Sequence, residues 1–187
     1  MPEGRQALLI MDIMPLVTPA FGGDEALLDR LSAAAKAARA ARVPVLFGKV
    51  AFRPGYPDVA ASNQLFTALP GMGLDFQDSN PDTDYHPAVA PQDGDYAFTK
   101  RRDSSFVGSD LDVLLRGLDV EHLVLTGVAT SGVVLSTLRA AADLDYKITV
   151  LSDGCADGDP EVQNVLITKV FPMQATVTTI ADWTATL

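Results

Sequence analysis

Short apolar runs rich in β-branched residues alternate with helical patterns along the chain, and this alternation constrains its fold more than any other feature. The runs at 7–11 and 122–128 are almost continuously apolar, as strands buried on both faces of a sheet are. Such alternation is typical of helices packed on both faces of a parallel sheet. We therefore predict an α/β, three-layer, Rossmann-like fold with a six-stranded, mostly parallel sheet flanked by helices.

Element boundaries follow from the apolar runs and from the capping signals between them. The predicted strands cover residues 7–11, 45–50, 95–100, 122–128, 148–152 and 175–179. The predicted helices cover residues 24–42, 59–69, 109–118, 132–144 and 159–171. The segment 52–93 is rich in proline, glycine, Asp and Asn, and we expect mostly loops that form one wall of a site. No repeat or linker interrupts the chain, so we expect a single domain over 1–187.

Charge and composition exclude several classes of protein. The formal net charge is −10 and no extended Lys/Arg cluster is present, which argues against nucleic-acid binding. No apolar run approaches the roughly 20 residues that span a bilayer, so we expect no membrane insertion. We also find no signal-peptide pattern, and the single cysteine, Cys155, cannot form an internal disulfide. These features lead us to expect a cytoplasmic protein.

Polar residues follow several of the predicted strands. In an open parallel sheet, ligands bind beyond the carboxyl ends of the strands, near the point where the strand order reverses. Asp12 follows the first strand, Lys100 ends the third, the segment 129–133 follows the fourth and Asp153 follows the fifth. We expect a site built from these positions.

Four segments resemble those of the isochorismatase-like cysteine hydrolases. The segment 7–12, ALLIMD, is similar to the family's first strand, and 100–106, KRRDSSF, is similar to its lysine segment. The segment 125–134, LTGVATSGVV, resembles the strand, turn and helix that carry the nucleophile, and 153–157, DGCAD, resembles a structural turn. The resemblance extends from the first strand to the last.

The resemblance implies a hydrolase that acts on a small molecule through a C–N amide or vinyl-ether type bond. Asp12 and Lys100 are then the catalytic pair, and backbone N–H groups near Ala129 and Thr130 form an oxyanion hole beside a cis peptide bond. In the family pattern Gly-x-x-Thr-x-x-Cys-Val, the cysteine position is Val133, which cannot attack a carbonyl. Family members commonly form homodimers or homotetramers, so the resemblance implies the same here.

Other residues are weak substitutes for the missing thiol. Thr130 and Ser131 lie in the right turn, but no histidine is placed to activate them, and helix capping is the simpler interpretation. We interpret Cys155 as a small, partly buried residue. True isochorismatases also lack the thiol, and their aspartate is thought to protonate a vinyl ether before water attacks. They tend to have glycine where this chain has Val133, which disfavours isochorismate itself as substrate.

An alternative is a catalytically silent small-molecule-binding or assembly protein, in which Asp12 and Lys100 are only a buried ion pair between strands. We expect no metal and no cofactor. His122 starts a strand at the end opposite the site, and His86 lies in a loop, where we interpret it as structural or exposed. Neither a dinucleotide fingerprint nor a phosphate loop is present. Aromatic residues of the irregular segment fit either a pocket or the core: Phe52, Tyr56, Phe66 and Phe76.

Overall fold

The computed structural model describes residues 5–187, whose strands form one six-stranded sheet with every pairing parallel. The strands are β1 (Gln6–Met11), β2 (Val45–Val50), β3 (Tyr96–Lys100), β4 (His122–Val128), β5 (Lys147–Ala156) and β6 (Thr176–Thr178). They are ordered β3-β2-β1-β4-β5-β6. This order confirms the predicted α/β class, with a sheet that is wholly rather than mostly parallel.

The helices that flank the sheet are α1 (Glu25–Ala40), α2 (Gln64–Ala68), α3 (Leu111–Gly117), α4 (Leu135–Asp143), α5 (Pro160–Val165) and α6 (Ile180–Thr184). Single 3₁₀ turns lie at Pro19–Phe21, Leu69–Met72, Pro81–Thr83, Pro87–Val89 and Phe171–Met173, and wider π-type turns at Thr130–Val134 and Leu166–Val170. Within residues 5–187, no helix has the length and apolar composition needed to cross a bilayer.

Two apolar cores pack against the two faces of the sheet, which produces the predicted three layers. Leu8 of β1 belongs to the cluster that includes Leu31 of α1. Its neighbour Leu9 points to the opposite face and belongs to the cluster that includes Leu115 of α3 and Leu138 of α4. Because successive side chains of a strand alternate between faces, a strand covered on both sides must be apolar throughout, as β1 is.

Helix α1 shows how local sequence sets an element. The Asp24 side chain accepts a hydrogen bond of 2.8 Å from the Leu27 backbone N–H, which caps the helix. Its buried stripe consists of leucines and alanines at helical spacing: Leu27, Leu28, Leu31, Ala34, Ala35 and Ala38. The helix ends at Ala40, slightly before the predicted end, and Arg42 then takes a left-handed conformation with φ 59°.

Two predictions at the C-terminal half of the sheet are wrong. The segment 153–157 is not a turn over its length, because β5 continues to Ala156 and pairs Cys155 with Gly127 of β4 after an irregularity in register. The last strand ends at Thr178, and Thr179 instead caps α6 by accepting a 3.1 Å hydrogen bond from the Asp182 N–H. The sequence prediction missed α6.

Smaller differences concern helix starts. The helix expected near 59–69 is the shorter α2. Asn63 immediately precedes it and caps it by accepting a hydrogen bond from the Phe66 N–H. The helix expected from 109 begins at Leu111. Its N–H donates to the Ser109 hydroxyl at 3.2 Å, and the Asp110 side chain makes no cap.

The strand order reverses between β1 and β4. From β1 the chain builds outward through β2 and β3 on one side, and from β4 through β5 and β6 on the other. The crevice outside the carboxyl ends of β1 and β4 is therefore the expected ligand position for this type of sheet. Asp12 and the turn that follows β4 lie at this point.

Candidate active site

Asp12 is the first residue after β1 and is held firmly at the sheet edge. Its backbone N–H donates a 2.8 Å hydrogen bond to the Gly48 carbonyl of β2. Its φ of 55° lies in the left-handed region, which Asp tolerates better than most residues. The residue is only 5% exposed. A non-glycine residue in this conformation is a form of backbone strain that clusters at functional sites.

Gly127 allows β4 to approach β1 beside Asp12. Its φ is 152°, and a Cβ atom at this position would lie 2.5 Å from the Met11 carbonyl oxygen. Both the conformation and the contact exclude a side chain. The close approach places the turn after β4 next to the end of β1.

Lys100 ends β3, two strands away from β1, and its long side chain reaches across to Asp12. The Nζ atom lies 2.8 Å from Asp12 Oδ2 and donates a second hydrogen bond of 2.9 Å to the Arg102 carbonyl. Lys100 is 1% exposed. A charge at this depth is tolerated when it is paired and hydrogen-bonded, as here.

The two oxygens of the Asp12 carboxyl group differ in their hydrogen bonding. Oδ1 is buried and has no hydrogen-bond partner among the described residues, although Oδ2 contacts Lys100. Burial raises the pKa of Asp12 above its ordinary value, and the contact with Lys100 opposes this rise. The nearby Val50 backbone N–H also lowers the pKa, although its geometry is not that of a hydrogen bond to Oδ1. A carboxyl with a raised pKa and an unpaired oxygen is suited to donate or accept a proton.

The turn after β4 has the cis peptide bond that the family resemblance implies, between Val128 and Ala129. The Ala129 carbonyl accepts hydrogen bonds from the Gly132 N–H at 3.2 Å and the Val134 N–H at 3.4 Å. The Thr130 hydroxyl is buried and has no hydrogen-bond partner among residues 5–187, so the interpretation of Thr130 as a helix cap is wrong.

Ser131 is exposed, and its backbone N–H donates a 2.8 Å hydrogen bond to Asp157 Oδ2. Asp157 therefore fixes the turn from the end of β5, a role that the sequence prediction missed. The predicted strand ended at residue 152, so nothing in the local sequence marked this role. The Asp153 carboxyl, in contrast, accepts the Ile180 N–H at 2.8 Å and lies outside the cavity described next.

A cavity of about 240 Å³ opens beside these residues. Asp12 and Lys100 line it with Val133, which is 2% exposed. The rest of the wall is formed by apolar side chains and by the turn after β4: Val17, Phe21, Val50, Leu65, Phe66, Leu69, Phe76, Val128, Ala129, Ser131 and Gly132. Phe66 and Phe76 thus contribute to the wall, whereas Phe52 is fully buried in the core.

Asp103 also lines this cavity, although the sequence prediction gave it no role. The residue is half-buried, and burial raises the pKa of its carboxyl while the charge of Lys100 lowers it. Its position three residues after Lys100, in the segment that leads away from a strand end, was the signal available in the sequence.

Residues 6–182 match the family model of the isochorismatase domain. The chain belongs to the isochorismatase family. The family resemblance that the sequence motifs indicated is thereby confirmed. The match runs from β1 into α6, so it includes every strand that borders the cavity.

Relatives with assigned names are similar to this isochorismatase-family chain over different lengths. The ureidoacrylate amidohydrolase RutB of Pseudomonas syringae pv. syringae is 31% identical over 209 residues, covering 100% of this chain and 85% of the relative. The RutB of Caulobacter vibrioides is 39% identical over 99 residues, covering 52% of this chain and 44% of the relative. In three curated relatives, the match spans only 42%, 44% and 47% of the relative's length.

The solved structure of another isochorismatase family protein supports the fold described for this chain. An isochorismatase family protein from Burkholderia thailandensis superposes with a TM-score of 0.84 at 27% identity, covering 97% of this chain and 94% of that one. The similarity extends over nearly the whole described chain, so the arrangement of strands around the cavity is that of the family.

Residues that could have offered other chemistry lie elsewhere. Cys155 is buried in β5, and burial raises the pKa of its thiol to about 12, which leaves it protonated and unreactive at neutral pH. His122 is buried and its Nε2 lies 2.9 Å from the Thr149 hydroxyl, while His86 Nδ1 accepts the Ala88 N–H. Among residues 5–187, no cluster of three or more His, Cys, Asp or Glu side chains is arranged to hold a metal.

A larger cavity of about 340 Å³ lies at the opposite edge of the sheet, near the starts of β2 and β3. Arg39 and Asp95 in its wall form a 2.7 Å ion pair that satisfies both groups. It lies away from the strand ends at which this type of sheet binds ligands. The smaller cavity, with an unpaired buried carboxyl oxygen, is therefore the better candidate site.

Proposed function

We propose that this isochorismatase-family chain hydrolyses a small substrate with an amide-type C–N bond in the cavity beside Asp12. Asp12 transfers the proton, and Lys100 orients the Asp12 carboxyl group and balances its charge. A water molecule replaces the thiol as the nucleophile. Val133 occupies the position of the missing nucleophile. The observation that carries the proposal is the Asp12–Lys100 pair, with its 2.8 Å contact and unpaired Oδ1, at the wall of a cavity.

The environment of Asp12 supports a role in proton transfer. A carboxyl that served only to tie β1 to β3 would be expected to have all its oxygens satisfied, because an unpaired buried acceptor costs about 1–3 kcal/mol. Asp12 Oδ1 is unpaired, and the cavity brings a ligand within reach of this carboxyl. The raised pKa of Asp12 increases the protonated fraction, which a general acid requires.

The cavity supports a compact substrate. Its volume of about 240 Å³ is below the roughly 300–1,000 Å³ typical of pockets for drug-sized ligands. Apolar side chains such as Phe66 and Phe76 exclude water, which strengthens electrostatic interactions inside. We propose that the backbone N–H groups of Ala129 and Thr130 stabilise the negative charge that develops on a carbonyl oxygen.

The names of the relatives favour a C–N bond. Two ureidoacrylate amidohydrolases match 100% and 87% of this chain, at 31% and 33% identity. A vinyl-ether substrate remains the second candidate, because protonation by Asp12 followed by attack of water also needs no thiol. Val133 fills space that a ring would need, so we propose an acyclic substrate in either case.

The expectations of a cytoplasmic location and of a homodimer or homotetramer remain predictions, as does the expectation that no cofactor is needed. Gel filtration with light scattering measures the oligomeric state. A mass corresponding to two or four chains agrees with the prediction, and a monomer contradicts it.

A hydrolysis screen tests the proposed function. The purified chain is incubated with a panel of small amides, ureido compounds including ureidoacrylate, and acyclic vinyl ethers, and the products are measured by mass spectrometry. Asp12→Asn is the negative control, and Asp29→Asn on the exposed face of α1 is a matched control with the same change in charge.

We expect hydrolysis of a C–N substrate by the wild-type chain and by Asp29→Asn, and its loss in Asp12→Asn. If only vinyl ethers are hydrolysed, the assignment of the site to Asp12 stands, but the substrate class is the vinyl ether and not the amide. No turnover of any panel compound would contradict the proposal and favour a catalytically silent protein. Turnover that persists in Asp12→Asn would assign the chemistry to other residues.

A further inference from the structure

A half-buried carboxylate without an internal partner faces the turn in which the thiol is missing. Asp103 lines the cavity, and its carboxylate makes no hydrogen bond or ion pair with the described part of the chain. One of its oxygens, Oδ1, lies 3.9 Å from the point where a Cβ atom on Gly132 would sit. Gly132 immediately precedes Val133, so this oxygen lies beside the turn that bears the nucleophile position.

The charges around the cavity connect Asp103 to the catalytic pair. Lys100 acts on the pKa of both carboxyl groups, lowering each, and the charge of Asp103 raises the pKa of Asp12. Asp12 is the more deeply buried of the two and is held by Lys100 at 2.8 Å, whereas Asp103 has no such contact. The two carboxyl groups therefore differ in environment, which is how one site obtains an acid and a base from the same residue type.

Hydrolysis in this cavity needs a base for water. In a thiol-dependent site the sulfur attacks first, but Val133 has no nucleophilic atom, and Cys155 is a buried thiol whose pKa is raised to about 12. Water attacks a carbonyl slowly unless a positioned base takes its proton. A general acid starts protonated, as the raised pKa of Asp12 favours, and a protonated Asp12 cannot also take this proton.

We propose that Asp103 is a further catalytic residue of this chain, which binds the nucleophilic water and removes its proton while Asp12 acts as the acid. The inference rests on the proposed function and goes beyond it by assigning the base. It also explains how an isochorismatase-family site can act on a C–N bond with valine at the thiol position.

Hydrolysis of an amide in this cavity takes place in two stages. Asp103 accepts a proton from water as the water oxygen forms a bond to the carbonyl carbon, and the carbonyl oxygen becomes the oxyanion beside Ala129 and Thr130. The oxyanion then collapses, the C–N bond breaks and protonated Asp12 gives its proton to the leaving nitrogen. The products are a carboxylic acid and an amine. Asp103 returns its proton to solvent and Asp12 takes one up, which resets the pair.

Steady-state kinetics of matched variants test the assignment on the best substrate of the panel. Asp103→Asn keeps the shape of the side chain but removes the base, and we expect kcat to fall by about 100-fold or more with KM within about threefold. Asp103→Glu keeps a base on a longer side chain, and we expect it to recover part of the lost kcat. Asp29→Asn should match the wild-type chain.

A second comparison separates a catalytic role from a structural one. In a Val133→Cys background, sulfur replaces water as the first nucleophile. A thiol, unlike water, can lose its proton to solvent and attack as a thiolate, so formation of the acyl-enzyme should not need Asp103. We expect the rate of acylation, followed by intact-protein mass spectrometry, to be similar with and without Asp103→Asn in this background. A substitution that merely disturbed the cavity would slow acylation as well.

The outcomes distinguish the two proposals. A wild-type chain that hydrolyses nothing contradicts the proposed function, and the assignment of Asp103 falls with it. Turnover that is lost in Asp12→Asn but unchanged in Asp103→Asn overturns only the assignment of Asp103. Equal losses of acylation and of hydrolysis in Asp103→Asn, or no recovery by Asp103→Glu, also overturn it.

Discussion

The buried ion pair between Asp12 and Lys100 makes a quantitative prediction about stability. Lys100 is 1% exposed, and its Nζ has two partners, Asp12 Oδ2 at 2.8 Å and the Arg102 carbonyl at 2.9 Å. At a pH at which Asp12 is ionised, Asp12→Asn keeps the volume of the side chain but leaves the lysine charge buried without its counter-ion. Removal of one member of a buried pair typically costs about 3–5 kcal/mol, because the other charge remains uncompensated.

The magnitude can be measured by a double-mutant cycle. We expect Asp12→Asn to lower the free energy of unfolding by about 3–5 kcal/mol, equivalent to roughly 6–20 °C in Tm for a chain of this size. Lys100→Met leaves a carboxyl that can take up a proton, so its cost should be smaller at pH 5 than at pH 8. The double variant should be more stable than the sum of the single losses implies, with a coupling energy of about 2 kcal/mol or more.

Urea unfolding followed by circular dichroism provides the four free energies of the cycle. The exposed pair of Arg116 and Asp112 is a matched control, since its N–O distance is also 2.8 Å but its side chains are 71% and 43% exposed. We expect its coupling energy to be about 0.3–0.5 kcal/mol. A coupling energy for Asp12 and Lys100 no larger than that of the control would refute the interpretation of the pair as buried and mutually dependent.

Three further predictions concern the residues around the pair. Gly127→Ala should lower the free energy of unfolding by about 3 kcal/mol, because its Cβ would lie 2.5 Å from the Met11 carbonyl oxygen at a φ of 152°. Gly117→Ala is the control. It has open space around it and should change the free energy of unfolding by less than about 1 kcal/mol in the same urea titration. Val133→Cys should form an acyl-enzyme that intact-protein mass spectrometry detects with an amide or ester substrate, and no adduct under conditions of turnover would contradict an otherwise intact site. Asp103→Asn should gain stability relative to the wild-type chain as pH rises above 3.8, because the raised pKa makes ionisation of the aspartate cost stability as pH passes through the folded-state value. An equal pH dependence of unfolding in both chains would contradict this last prediction.

Much of the fold followed from patterns that are local in sequence. The apolar run before Asp12 predicted both β1 and the position of the carboxylate, because a strand buried on two faces is apolar throughout and this run stops at Asp12. The same reasoning located Lys100 at the end of β3 and the turn after β4. The alternation of strands and helices predicted a parallel sheet, and parallel strands bring their carboxyl ends to one edge, where Asp12 and Lys100 meet.

What the sequence did not predict depends on contacts between distant segments. The extension of β5 through Cys155 follows from pairing with Gly127 after an irregularity in β4, whereas the family resemblance suggested a turn. The burial of Asp103 depends on how the segment after β3 packs against the turn after β4, and no local pattern in the sequence marks that contact. Helix α6 is only five residues long, too short for a periodic pattern to stand out.

The most direct measurement is the ratio of kcat/KM between the wild-type chain and Asp12→Asn on the best C–N substrate of the panel. If Asp12 transfers the proton in the cavity that it shares with Lys100, the ratio should be about 10²–10⁴. Circular dichroism at the assay temperature establishes that the variant is folded. A folded variant with a kcat/KM within about threefold of the wild-type value would contradict the assignment of the active site to Asp12.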